Sequence, residues 1–222
     1  MTLSEPTLRW SGLANVVGGV LLALFFVLHP GGGDPPTAQA VLTSPHALEH
    51  TLGVTAMALL LLGLPALIAR LAARHGRSAW IGFALAFVGT YLLGGVMFFD
   101  AYITPAIAAN APALMDVTGA LNSPPTVLAF VVAGVVWGVG YLVLGIVALR
   151  AAVLPRWASG LMIIGSIVIN LPPQPIGFAP LLAIAIGAVM FGVALGGWGY
   201  AIWSGTTVAP RVAPVTARPS PA

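Results

Sequence analysis

Six apolar runs separated by short polar stretches dominate the chain: residues 10–28, 47–71, 79–99, 126–149, 157–171 and 176–203. Most reach the roughly 20 residues that a helix needs to cross the hydrocarbon core of a bilayer. In lipid a spanning segment must satisfy its own backbone hydrogen bonds, which a helix does internally. The pattern therefore predicts an all-α fold, a six-helix transmembrane bundle occupying residues 1–205. Residues 206–222, rich in Pro, Ala, Thr and Val with no periodic apolar face, are expected to form a disordered cytoplasmic tail. The fifth run is the short one. Its length before Pro172-Pro173 gives only about 22 Å of helix at 1.5 Å per residue, so it either begins earlier, near Leu154, or is a half-helix.

The polar positions between the runs orient them. Arg9 precedes the first run, Arg70, Arg74 and Arg77 lie between the second and third, Arg150 and Arg156 between the fourth and fifth, and Arg211 and Arg218 in the tail. The other three connections hold no Arg or Lys. This alternation obeys the positive-inside rule at every loop and predicts both termini in the cytoplasm. Ala38-Gln39-Ala40 has the small-x-small look of a signal-peptide cleavage site, but the preceding apolar run is too long for a signal core, so the first run is read as a retained helix.

Composition agrees with the pattern and narrows the chemistry. Charged residues are 6% of the chain against about a quarter in a soluble domain, hydrophobic residues are 59% and mean hydropathy is +1.03. With no cysteine, disulfides, thiolate catalysis and cysteine-ligated metal centres are excluded. The net charge of +3 comes from singly scattered arginines, which orient helices and build no nucleic-acid patch.

A short motif recurs at the start of every second helix: Arg9-Trp10-Ser11-Gly12-Leu13, Arg77-Ser78-Ala79-Trp80-Ile81-Gly82 and Arg156-Trp157-Ala158-Ser159-Gly160-Leu161. Each of these helices then ends near a proline, Pro30, Pro105 or Pro172. The motif admits two readings. One is three parallel helical hairpins related by repetition; the other is the general preference of a cytoplasmic helix start for Arg and interfacial Trp. The strings Trp10-Ser11-Gly12-Leu13-Ala14 and Leu154-Pro155-Arg156-Trp157-Ala158-Ser159-Gly160-Leu161 resemble bacterial multi-helix membrane proteins grouped as a domain of unknown function. That resemblance implies a bacterial cytoplasmic membrane location and carries over no activity and no functional residue.

Residues capable of chemistry gather on the side opposite the arginines. Asp34, Glu49, Asp100 and Asp116, with His29, His46 and His50, fall at or beyond the outer helix ends. Ser44-Pro45 is expected to cap the second helix, with proline at its first position. His46 and His50 then share one face with Glu49 on its flank, because residues three and four apart are neighbours on a helix. Two imidazoles one turn apart can share a metal ion, and Gly53 on the same face would admit a neighbouring helix. The helix N-terminus favours the Glu49 carboxylate and disfavours an imidazolium. His46-Ala47-Leu48-Glu49-His50 also matches the H-x-x-E-H string of inverted zinc peptidases, but those enzymes need a further acidic ligand; the chain's other glutamate, Glu5, falls on the cytoplasmic side, and Asp100 or Asp116 could serve only by departing from the pattern, so peptidase activity is set aside.

His29, at a similar depth, could face His50 across a gap, and His29 with His46 or His50 could ligate a haem b iron. Asp100 could complete a metal site or serve as counter-charge to a protonated histidine. Each of these residues could equally be an interfacial side chain that is simply solvated. The expected site is thus His46, His50, Glu49, His29 and Asp100, with a divalent metal or haem b as cofactor. Gly134 with Gly138 and Gly192 with Gly196 read as small-residue packing faces. Asn170, Pro172, Pro173 and Gln174 mark a break that could expose carbonyls to an ion.

Three classes of function remain open at this level: binding or transport of a small ligand or cation through an outer vestibule, a haem or metal redox protein, and a structural or regulatory membrane subunit. No acidic residue lies deep in a helix to drive ion coupling, which counts against a standard pump or secondary transporter. The partners expected are the lipid bilayer and, undecided by sequence, a second copy or another membrane subunit. An enzyme is the less favoured class.

Overall fold

The computed structural model describes residues 3–29, 37–170 and 178–206, and the side chains of 178–181 are not described. Asp34, Pro172, Pro173, Gln174 and the tail from 207 onward lie outside the described residues. Within them the chain is helical, with no strand. Four helices, Glu5–Leu28, His46–Asn110, Pro124–Ala151 and Leu182–Trp203, are long and apolar enough to cross a membrane.

Helix α1 spans Glu5–Leu28; the Ser4 hydroxyl accepts from Thr7 N–H, a proline sits in its first turn, and His29 caps its far end. Helix α2, Ala38–Thr43, is a single short turn pair capped by Thr37. The candidate cleavage string Ala38-Gln39-Ala40 opens this helix. Helix α3 covers His46–Phe98, 53 residues or about 80 Å at 1.5 Å per residue. That is more than twice the roughly 30 Å hydrocarbon core. It is broken at His75 (φ −131°, ψ 28°) and Gly76 (φ 17°, ψ −101°), which separates two limbs.

The limbs fold back on each other. A Cβ at Gly53 would lie 2.9 Å from Met97 Sδ, Met57 packs on Gly94, and Thr51 Oγ1 donates to Tyr102 Oη at 3.3 Å. A π-turn, Phe99–Ile103, continues the second limb into α4, Thr104–Asn110. Helix α5, Pro124–Ala151, is followed by α6, Arg156–Ile169, and α7, Phe178–Trp203. The expected cap at Ser44 is corrected: Pro45 holds the N-cap position with no side-chain hydrogen bond, because Ser44 already terminates α2 by donating its N–H to Ala40 O.

Helix α6 starts at Arg156 rather than Leu154, and its 14 residues give about 21 Å of helix. It is the half-length element that its apolar run implied. Asn170 is partly buried; its amide donates to Ser166 O at 2.9 Å and packs against Gly138. Its side chain is engaged in helix packing.

Neighbouring helices run antiparallel and are seated through glycine. Cβ atoms at Gly12 and Gly19 of α1 would meet Gly199 O at 2.7 Å and Gly192 O at 2.6 Å of α7. On the other flank of α1, Gly18 meets Leu60 and Ala56, and the Asn15 side chain fills the space above Gly63. The second limb of α3 packs on α5 through Gly89 against Trp137 and Gly140 against Ala86, α5 on α6 through Gly145, and α6 on α7 through Gly165 and Gly187. The order α7, α1, first limb, second limb, α5, α6 thus closes on itself. Trp137, Tyr141 and Phe191 stack at its centre, with Trp137 and Phe191 centroids 4.6 Å apart.

This corrects the expected glycine pairs. Gly138 and Gly192 make close contacts, while Gly134 and Gly196 have no atom near the space a Cβ would take. The tightest seam on α7 uses a spacing of seven, Gly192 with Gly199, facing the same spacing on α1. Two helical turns return a residue to nearly the same face, so a seven-residue repeat aligns along a neighbouring helix.

Candidate metal centre

Antiparallel packing brings three helix ends together: the end of α1, the start of α3 and the end of its second limb. There His29, His46, Glu49, His50 and Asp100 assemble. Ligand atoms of His29, Glu49 and His50 all lie within 4.8 Å of one another. His29 Nδ1 is 3.8 Å from Glu49 Oε2, and His50 Nε2 is 3.8 Å from Asp100 Oδ2. The His46 and His50 ring centroids are 4.1 Å apart.

These side chains are not solvated. Glu49, His50 and His46 are 4%, 3% and 5% exposed, and His29 and Asp100 form a more open rim. Six buried side-chain polar atoms among the described residues have no hydrogen-bond partner, and three of them, His29 Nδ1, His46 Nε2 and Glu49 Oε2, fall in this one cluster. A buried unpartnered polar atom costs a few kcal/mol and a buried unpaired charge more.

Hydrogen bonds that are present fix how the cluster is presented. A carbonyl can only accept, so the 2.8 Å contact between His50 Nδ1 and His46 O makes Nδ1 the protonated nitrogen and leaves the Nε2 lone pair free. Metal-binding histidines are commonly oriented in this way, through a backbone carbonyl on the other nitrogen. Thr104 Oγ1 donates to Asp100 Oδ1 at 3.0 Å and leaves Oδ2 toward His50. The π-turn contributes here, because one extra residue per turn rotates the helix that follows and carries Thr104 and Ala108 onto the buried side. His29, just beyond α1, has its imidazole pushed down to about 4, first by burial and then by His50 and His46. It is neutral at pH 7, so it does not neutralise Glu49.

Among the described residues no Arg or Lys lies nearby. Arg9, Arg70, Arg74, Arg77, Arg150 and Arg156 all sit at the opposite ends of their helices. Below the cluster the floor is apolar: Phe25 and Met97 close over Gly53, and Leu22, Met57, Leu60 and Leu64 are buried beneath. Val41 of α2, Ala108 of α4 and Met115 of the short helical turn Pro112–Met115 form a separate small apolar cluster.

For the His29–His50 pair the haem alternative does not fit. Two axial histidines must stand on either side of a porphyrin plate. Here the His29 and His50 rings touch edge to face, centroids 5.0 Å apart at 81°, with Phe25 packed on both at 5.1 and 5.3 Å. No slot for a macrocycle separates them. The H-x-x-E-H string is also arranged differently from its peptidase counterpart, because the residue that joins Glu49 and His50 is His29, at the end of α1, rather than His46.

Several buried polar residues carry no motif in the sequence, among them Thr104, which holds Asp100, and Asn15. Asn15, fully buried within α1, donates to Gly63 O at 3.0 Å while its Oδ1 stays unpartnered. A lone amide inside an apolar run was the available signal.

Fold and site together define an all-α protein with four membrane-length helices and a buried His/Glu cluster at one end. Comparison with protein-family models, curated proteins and solved structures returns no match.

Proposed function

We propose that this chain is a multi-pass integral membrane protein of the bacterial cytoplasmic membrane that binds a small cation at its outer face. Its six helices form a transmembrane bundle with both termini cytoplasmic. The kink at His75–Gly76 makes two crossings of α3, and arginines mark the cytoplasmic end. Large apolar side chains such as Val20, Leu62, Phe87, Tyr91, Val131 and Ile186 face outward along the helices, which suits lipid as the surrounding partner. Trp10, Trp80 and Trp157, all exposed at the arginine end, suit an interfacial belt.

The observation that carries the function is the convergence of buried, unpartnered donor atoms beside two carboxylates, with no Arg or Lys among the described residues there. Such a cluster is complete only with a cation or with protons. The closed apolar floor favours retention of the cation over its passage. Elemental analysis and equilibrium dialysis of the detergent-purified full chain against a panel of monovalent and divalent cations test the reading. One cation per chain is expected, lost in His50→Ala. Absence of any bound cation, or retention of it in that variant, would overturn it.

A further inference from the structure

We infer that the cation is a borderline divalent transition metal of the zinc class, ligated by His29 Nδ1, Glu49 Oε2 and His50 Nε2 with one position left toward the outer rim. The inference rests on the cation-binding reading and adds the identity of the ion and of the atoms that hold it.

Donor chemistry decides the class. Calcium and magnesium take six or more oxygen ligands, largely carboxylates, carbonyls and water. This site offers two imidazole nitrogens for one carboxylate oxygen, a set suited to zinc and its first-row neighbours. Thiolate and thioether are absent from the trio, so soft monovalent ions lack their preferred donors.

Geometry supports the same ion. Ligands at 2.0 to 2.2 Å around a tetrahedral zinc are about 3.4 Å apart. The His29 to Glu49 separation of 3.8 Å is already near this, and closing the trio from 4.8 Å asks side-chain ends to move by about an ångström. The ligands come from two helices that glycine contacts hold together: α1 is pinned to the first limb of α3 at Gly18, and Asn15 sits on Gly63. The His46 carbonyl holds His50 in the tautomer that offers Nε2. Asp100 stands outside the trio, its carboxylate anchored by Thr104 and directed at His50. It supplies the second negative charge, so that two carboxylates match one divalent ion.

The test uses the full chain in detergent, stripped with a chelator. Zn2+ is titrated by competition with a chromophoric chelator, Ca2+ and Mg2+ by calorimetry, and Co2+ serves as a spectroscopic probe. One Zn2+ per chain is expected, displacing Co2+ whose visible bands report four-coordinate nitrogen and oxygen ligation. Glu49→Gln, which preserves shape, should weaken Zn2+ by about a hundredfold or more, Asp100→Asn by about tenfold, and Asp116→Asn, exposed and outside the cluster, not at all. Helical circular dichroism and elution volume establish that each variant is folded. Binding of Ca2+ or Mg2+ as tightly as Zn2+ would overturn the zinc class while leaving a cation site. Zn2+ affinity unchanged in folded Glu49→Gln would overturn the ligand set. Binding of no cation by the wild-type chain would remove the underlying reading as well.

Discussion

The two ends of this molecule handle polar residues in opposite ways. At one end Arg9, Arg74, Arg77, Arg150 and Arg156 accompany Trp10, Trp80 and Trp157, whose rings are 71%, 46% and 57% exposed. At the other, Glu49, His46 and His50 are buried, with His46 Nε2 and Glu49 Oε2 left unpartnered. Long cationic side chains reach water and headgroups from almost any helix end, so their energy depends little on neighbours. Short imidazoles and carboxylates cannot reach out in that way. Once buried, they need partners within a few ångströms, and that need is what makes a site.

The largest test of this contrast is all-or-none. Reporter fusions after Arg74 and Arg150 should read cytoplasmic, and fusions near Asp34 and Asp116 external. A cytoplasmic signal at Asp34 would place the histidine cluster on the wrong side and end its reading as an outer-face site.

Acid should damage the histidine end selectively. The His29 imidazole titrates at about 4 when folded and near 6.5 when unfolded. The unfolded chain therefore takes up a proton that the folded chain refuses between these values, and stability is complete above about 6.5 and falls as pH drops toward 4. The loss amounts to about 3 kcal/mol for the metal-free protein. Thermal unfolding in detergent from pH 7.5 to 4 measures it. In His29→Gln the slope over this window should flatten; an unchanged slope would show that another group governs acid stability.

Removing a ligand is the next effect in size. A hundredfold loss of Zn2+ affinity in Glu49→Gln corresponds to about 2.7 kcal/mol, and saturating Zn2+ should accordingly raise the melting temperature of wild type more than that of the variant. Equal shifts would argue that the metal stabilises through some other part of the chain.

The smallest effect is expected at the arginine end. Arg150→Gln and Trp80→Ala should change unfolding free energy by no more than about 0.5 kcal/mol and leave metal affinity untouched, as is usual for exposed positions. A loss of metal binding in either would show that the two ends are coupled and that the contrast between them is too sharply drawn.

What sequence alone determined follows from interactions that act locally. Burial of backbone polarity within a helix and the length of each apolar run are properties of contiguous residues, which is why the helical elements, the shortness of α6 and the shared face of His46, Glu49 and His50 were legible. The break between the second and third runs was visible as Arg70-Leu71-Ala72-Ala73-Arg74-His75-Gly76-Arg77, although the backbone remains helical up to the two residues at the kink. What only tertiary structure decided are the relations between helices. Gly12 and Gly19 meet Gly199 and Gly192, whereas Gly134 and Gly196, equally good motifs in sequence, meet nothing. Small residues permit close approach on any face, and the packing of all the helices selects which faces meet. The same holds at the site. Sequence placed His29 at the right depth and left it equally able to face a haem, a metal or water. The choice came from the rotation of α1 about its axis, set by Gly18 and Asn15 against α3, which brings His29 Nδ1 to 3.8 Å from Glu49 and closes the gap a porphyrin would need.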